Sequence, residues 1–396
     1  MERSGPAFCR GSPSVMKIEQ VIVYGLFGKK RPERITFRPD LNIVTGKNGS
    51  GKTTIMKLIW YVISGQILRA LREVEFGRVA IITSEYEIVV TRTGSNTCRV
   101  KWTRDGKITE FVDGGADEDG DFSNAEDEPN RMMREIGTSI FFPTFRRIEG
   151  GFTSSELPRR GAFSERVGNS SSDLEDALNG LSARLSSQNH RFISALSTSD
   201  IEKLLLKQYT DASEDANRIQ QETSSKIIDQ IKEFKQDKYE SGIQDVAEPA
   251  AAEAALDNIR TMIENMDRER VVALAQYDAI RELVLRIFAH SGIKVGRLSI
   301  GDAAASVSSD ALSAGEKQML SFLCYNAFYN SGIIFIDEPE LSLHIDWQRQ
   351  LFPTLFSQRK DNQFIIATHS PFIYSRYPDH EIALQIDRGN NEEASS

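Results

Sequence analysis

Four stretches of the chain carry residue types that do chemistry together. Gly46-Lys-Asn-Gly-Ser-Gly-Lys52-Thr53 matches the GxxxxGK[ST] spacing, entered by an apolar strand pattern and left by a helical one. In such a loop Gly46, Gly49 and Gly51 let backbone N–H groups turn inward around phosphate oxygens. Asn48, Ser50 and Thr54 belong to the same loop and first helical turn, and the helix N-terminus adds a positive dipole. Lys52 supplies a cation and Thr53 can reach Mg²⁺. Ile333–Ile336 is an apolar run ending in Asp337 and Glu338, which places both carboxylates at the carboxyl edge of a parallel sheet. There Asp337 suits a Mg²⁺ shell, and Glu338 is free to orient or deprotonate an attacking water.

The other two stretches are less specific alone. Leu312-Ser313-Ala-Gly315-Glu316-Lys-Gln318 precedes a helical pattern. Ser313 and Glu316 form a plain capping box, and a capped helix N-terminus beside Gly315 is equally an anion site that could face a γ-phosphate. Ala367-Thr-His369-Ser-Pro371 follows another apolar strand, which puts His369 beside the same edge as Glu338.

The elements that must position these residues alternate. Ile18 to Val23, Ile35 to Phe37 and Leu41 to Thr45 read as strands, and Thr53–Ile67 as a helix. Arg78–Thr83, Tyr86–Thr91 and Arg99–Thr103 read as an antiparallel meander. Asp113–Glu128 carries eight carboxylates and no base, the pattern of a solvated loop. Leu174, Leu178, Leu181 and Leu185 open a helical region, and Ala251–Phe288 is a second long helix of roughly 57 Å at about 1.5 Å per residue. The fold class is therefore α/β: a mixed, mostly parallel sheet with an antiparallel meander and an inserted α-helical arm. The expected boundaries are a head at 16–168 and 291–389, the arm at 169–290, and flexible tails at 1–15 and 390–396.

Composition narrows the function classes. The chain has 396 residues, with 48 Lys and Arg against 57 Asp and Glu, a net charge of −9. Non-specific attraction to nucleic acid is thus disfavoured, and any such contact needs a local patch. Cys9, Cys98 and Cys324 lack disulfide or zinc spacing and point to a reducing compartment. Apolar runs such as Gly332–Ile336 fall far short of the roughly 20 residues that span a membrane. The start lacks a signal-peptide core, so the expected location is cytoplasmic, with no membrane partner.

Taken in order, GKNGSGKT, LSAGEKQ, IIFIDEPELSLH and ATHSP resemble an ABC-type ATPase of the SMC-like and OLD-like branch. The resemblance implies ATP and Mg²⁺ as cofactors, a Walker A loop at Gly46–Thr53, a signature at Leu312–Gln318, and a Walker B pair at Asp337 and Glu338. It implies a D-loop at Leu341–His344 and a switch histidine at His369. Lys52, Glu338 and His369 would then be catalytic. Dimeric or higher, even-numbered assemblies would set Lys52 and Glu338 of one copy against Ser313, Gly315 and Glu316 of another. No glutamine stands where that family carries its Q-loop; the region reads Ser139-Ile-Phe-Phe-Pro-Thr-Phe-Arg146-Arg147. Arg146 and Arg147 could contact nucleotide or a partner subunit, or be salt-bridged; the basic loop of Lys29, Lys30, Arg31 and Arg34 could touch adenine or phosphate, or be solvated.

The phrases FFPTFRRIEGGF and ISALSTSDIEKLLLKQYT look like ATPase components of two-component antiphage systems, first the phage anti-restriction-induced system (PARIS) and next the Septu type. That resemblance implies a switch subunit that senses a phage-encoded trigger and controls a separate Toprim-like nuclease. The alternative is an SMC-like DNA-repair or chromosome-structuring ATPase, whose DNA contacts the acidic charge balance does not favour.

Overall fold

The computed structural model describes residues 15–116, 122–144, 180–194, 198–240, 249–290, 313–341, 343–358 and 361–384. Outside the described residues lie the expected tails apart from Val15, the 168/169 and 290/291 boundaries, and part of the acidic run. Cys9, Arg146, Arg147, Leu174, Leu178, Leu312 and Ser342 lie outside them as well. The chain divides into two compact units, one of Met1–Leu196 with Tyr329–Ser396 and one of Ser197–Phe328.

The first unit is built from two sheets. The antiparallel sheet has the order β2-β1-β4-β5-β6-β7. Its strands are β1 (Ile18–Tyr24), β2 (Glu33–Thr36), β4 (Arg78–Thr83), β5 (Glu87–Arg92), β6 (Cys98–Arg104) and β7 (Lys107–Val112). The expected meander is β4 to β6, and β7 extends it. In β1 the buried residues are Ile18, Val21 and Val23, a spacing of three and then two, because a bulge falls between Ile18 and Gln20.

The second sheet is wholly parallel, in the order β11-β10-β12-β13-β3-β14. It comprises β3 (Leu41–Thr45), β10 (Ser139–Phe142), β11 (His190–Phe192), β12 (Ile333–Asp337), β13 (Gln363–Ala367) and β14 (Glu381–Ala383). A two-residue pair, β8 (Gly115–Ala116) and β9 (Phe122–Ser123), stands apart. Every residue of β3, β12 and β13 is buried, as continuous apolar runs in a doubly covered parallel sheet require.

Helix α1 (Lys52–Ile63) shares one core with both sheets: Ile55, Met56, Leu58, Ile59, Trp60, Val62 and Ile63 cluster with Val21, Ile81, Val90 and Val100 of one and Val44, Phe141, Phe335 and Ile365 of the other. The helix is apolar on nearly all sides because it has no solvent face of any width. It stops at Ile63, short of the expected Ile67, where Gly65 turns the chain with φ +68° and α2 (Ile67–Glu73) begins. The short α3 (Asp127–Glu135) precedes β10.

Two buried polar networks pin this core. Gln363, fully buried at the start of β13, accepts from Ile18 N at 2.8 Å and donates to Ile18 O and Arg38 O at 2.8 Å each, so one amide joins the two sheets. Ser139 Oγ accepts from Trp60 Nε1 (3.1 Å) and lies 2.7 Å from His190 Nδ1, while His190 Nε2 faces Met133 O at 3.1 Å. With Nε2 donating to that carbonyl, Nδ1 accepts from Ser139 and the ring is neutral; burial lowers its pKa to about 4.

The second unit holds α4 (Thr198–Glu240), α5 (Pro249–His290) and α6 (Ala314–Phe328). Helices α4 and α5 pack on each other, and α6 packs on both. The compact helical unit runs from Ser197 to Phe328 and includes the helix behind Ser313. Exposed ion pairs Asp215–Arg218, Asp229–Lys232 and Arg260–Glu264 ride on the long helices, each contributing only a few tenths of a kcal/mol. Among the described residues no helix is long and apolar enough to cross a membrane.

Candidate functional site

The parallel register brings the chemical residues together. Asp337 pairs with Ala367, Ala367 with Val44, and Phe142 with Ile336. The chain therefore leaves β3 at Gly46, β12 at Glu338, β13 at Thr368 and β10 at Pro143 along one carboxyl edge, the place where α/β sheets hold ligands.

The loop between β3 and α1 is shaped by three glycines with positive φ: Gly46 at +148°, Gly49 at +81° and Gly51 at +84°. Gly46 is the tightest, since a Cβ there would sit 2.7 Å from Ser50 Oγ and 2.8 Å from Leu384 O. No side chain caps α1 at Gly51. Ser50 Oγ is buried with no hydrogen-bond partner, a polar atom waiting for an acceptor or donor inside the loop. Asn48 and Gly49 are exposed at the tip, and Thr54 is half-buried in the first turn of α1.

Lys52, 5 % exposed, folds back into the loop. Its Nζ donates to Gly46 O (3.1 Å) and Lys47 O (3.3 Å) and meets His369 Nε2 at 2.6 Å. Burial lowers its pKa, opposed by the negative charges of Glu338, Asp337 and Glu340.

Asp337 is buried at the end of β12 and accepts from two hydroxyls. Thr53 Oγ1 lies 2.9 Å from both carboxylate oxygens, and Thr144 Oγ1 lies 2.5 Å from Oδ2. Burial pushes its pKa up, while the hydroxyls from Thr144 and Thr53 pull it down. This cluster of hard oxygen donors fits Mg²⁺: Thr53 and Asp337, with Thr144 alongside, are the residues that would hold it.

Glu338 sits in the left-handed region at φ +49°, a conformation costly for a non-glycine residue. Its N–H donates to Ala367 O (2.8 Å), and its carboxylate faces the His369 ring, Oε1 to Nε2 3.8 Å. Burial raises its pKa, helped by Asp337 and Glu340 and opposed by His369 and Lys52.

Lys52, Thr53, Asp337, Glu338 and His369 thus meet at one sheet edge. Ser313, Gly315 and Glu316 lie in the other compact unit. There the capping box is present in both directions: Ser313 N donates to Glu316 Oε2 (2.7 Å) and Glu316 N to Ser313 Oγ (3.3 Å). The basic residues Lys29, Lys30, Arg31 and Arg34 lie on the β1–β2 connection and β2, at the edge of the antiparallel sheet.

Two site residues were missed. Thr144 lies just after β10, where no glutamine stands, and its hydroxyl reaches Asp337 instead. Glu340 stood inside a motif already read, yet its partners, 28 and 29 residues away, have no local signature.

The chain is 37% identical over 73 residues to the "Retron Ec83 probable ATPase" of Escherichia coli, covering 15% of this chain and 14% of that protein. It is 40% identical over 52 residues to "DNA replication and repair protein RecF" of Desulfitobacterium hafniense, covering 13% of this chain and 14% of that protein. The matches span about a seventh of the length of these curated relatives. Among solved structures, an Smc head domain with an extended coiled coil, bound to the C-terminal domain of ScpA, from Pyrococcus furiosus aligns over 94% of both chains at 16% identity and a TM-score of 0.41. Residues 16–374 match the AAA ATPase domain family, and the chain belongs to that family.

Proposed function

We propose that the chain binds and hydrolyses ATP with Mg²⁺ as the switch subunit of an antiphage system, sensing infection and controlling a separate nuclease. The observation that supports the ATPase step is the meeting of Lys52, Thr53, Asp337, Glu338 and His369 at one sheet edge. The loop's backbone and the uncapped start of α1 receive the phosphates, and Lys52 moves from the Gly46 and Lys47 carbonyls onto them. Mg²⁺, when bound by Thr53 and Asp337, neutralises phosphate charge. Glu338 accepts a proton from the attacking water, whose oxygen bonds to the γ-phosphorus as the bridge to the β-phosphate breaks, giving ADP and phosphate. His369 holds the water and Glu338 in line.

In this reading Ser313, Gly315 and Glu316 of a second copy complete each site, so even-numbered assemblies form with ATP. The motif set and the likeness to a retron ATPase support the defence role; the stretch shared with RecF supports the second reading, a DNA-repair ATPase. The test is hydrolysis by the purified chain, then co-expression with its neighbouring gene product. ATP turnover abolished by Lys52→Ala, no nuclease activity from the chain alone, and a co-purifying nuclease are expected. A chain that neither binds nor cleaves ATP overturns the ATPase reading, and nuclease activity from this chain alone overturns the two-component one.

A further inference from the structure

We infer that Glu340 and Gln348 are positioning residues that set His369 against Lys52 and Glu338, an inference that rests on the ATPase reading of this site. Beyond β13, Thr368 N still donates to Val44 O (3.2 Å), and from there the chain is held by side chains. Both oxygens of the Glu340 carboxylate are committed to consecutive residues: Oε1 accepts from His369 N at 2.6 Å and Oε2 from Thr368 Oγ1 at 2.8 Å. The next residue is held as firmly. Ser370 Oγ donates to Gln348 Oε1 at 2.6 Å, while Gln348 Nε2 donates to Leu343 O (2.7 Å) and Glu340 O (3.3 Å).

Glu340 stands on the 3-10 turn Pro339–Leu341, directly after Glu338, and Gln348 on α7 (Ile345–Ser357). Thr368, Ser370 and Gln348 are all buried. The histidine segment is therefore bolted to the chain that carries Glu338, and the two side chains cannot drift apart independently. A carboxylate here also sets a like charge near Asp337 and Glu338, raising both. A neutral residue would fill the turn without that repulsion, and what offsets it is the charge-assisted bond to the His369 amide.

The experiment uses the full chain with ¹⁵N-labelled histidine. The His369 resonance is identified by His369→Asn, and the buried His190 serves as a reporter of an intact core. In Glu340→Ala and Gln348→Ala the His369 resonance shifts while that of His190 stays. In parallel kcat falls by about ten- to a hundredfold, the scale of a displaced catalytic group, with KM for ATP within about threefold. Glu340→Gln keeps an acceptor for the His369 amide and recovers most of the turnover. If Glu340→Ala loses the His190 signal, Gln348→Ala, which leaves the carboxylate in place, decides. A His369 resonance unmoved in the folded variants, or moved with kcat unchanged, overturns the inference. Absence of hydrolysis in the wild type overturns the ATPase reading instead, and the resonance then still decides whether the two residues hold His369.

Discussion

The Lys52 ammonium touches the His369 ring, Nζ 2.6 Å from Nε2. With lysine as the donor, Nε2 accepts and the ring proton resides on Nδ1. The remaining Lys52 contacts are the carbonyls of Gly46 and Lys47, so all its donors are used within the loop and its histidine neighbour. In the proposed reading, nucleotide binding exchanges these acceptors for phosphate oxygens and frees His369.

Lys52→Ala therefore weakens nucleotide binding by about ten- to a hundredfold, the scale of one or two lost charge-assisted hydrogen bonds. Titration with a fluorescent ATP analogue measures it. Wild-type affinity in the variant contradicts the assignment of this loop.

Glu338→Gln separates binding from turnover. The amide keeps the shape of the side chain but cannot take a proton, so kcat falls by about 10²- to 10⁴-fold while ATP binding persists. Phosphate release under single-turnover conditions is the readout; turnover at the wild-type rate removes Glu338 from its role.

His190 makes stability depend on pH. Its pKa is lowered from 6.5 to about 4 in the folded chain, so the unfolded state binds the extra proton between those values. The stability it contributes is complete above pH 6.5 and is lost as pH falls towards 4, about 2 kcal/mol between pH 7 and pH 5. Urea midpoints at the two pH values should fall less in His190→Gln than in the wild type. Equal falls would assign the acid sensitivity to other groups.

Gln363→Leu keeps the volume and removes the amide. Ile18 N and Ile18 O then lose their side-chain partner inside the core, while Arg38 O keeps the Asn42 amide, at a cost of about 2 kcal/mol or more. Thermal unfolding should drop by several degrees, with residual ATP binding per folded molecule unchanged. An unchanged Tm would show that the sheets are joined by other means.

The sequence displayed this site well where spacing is local. Gly46 to Thr53 and Asp337-Glu338 are contiguous, and apolar strands deliver each to the same edge. Thr144 was hidden because it meets Asp337 across 193 positions of sequence, and a threonine after a strand looks like any other. Helix α1 ends earlier than its apolar pattern suggests: Ile67 belongs to α2, and both helices are buried in one core, so periodicity ran through the break at Gly65. The extent of the helical unit depends on α6 packing against α4 and α5, which no single stretch encodes.

Strand β13 has its ends assigned to different tasks. Gln363 fastens one end to the neighbouring sheet, and the other runs into His369 some 20 Å away at about 3.3 Å per residue. A tether at the far end, with Glu340 clamping Thr368 and His369, closes sliding along the strand axis to this segment, and in the proposed reading the histidine answers phosphate through its side chain alone. In that reading the amplitude of the switch is the swing of a single imidazole.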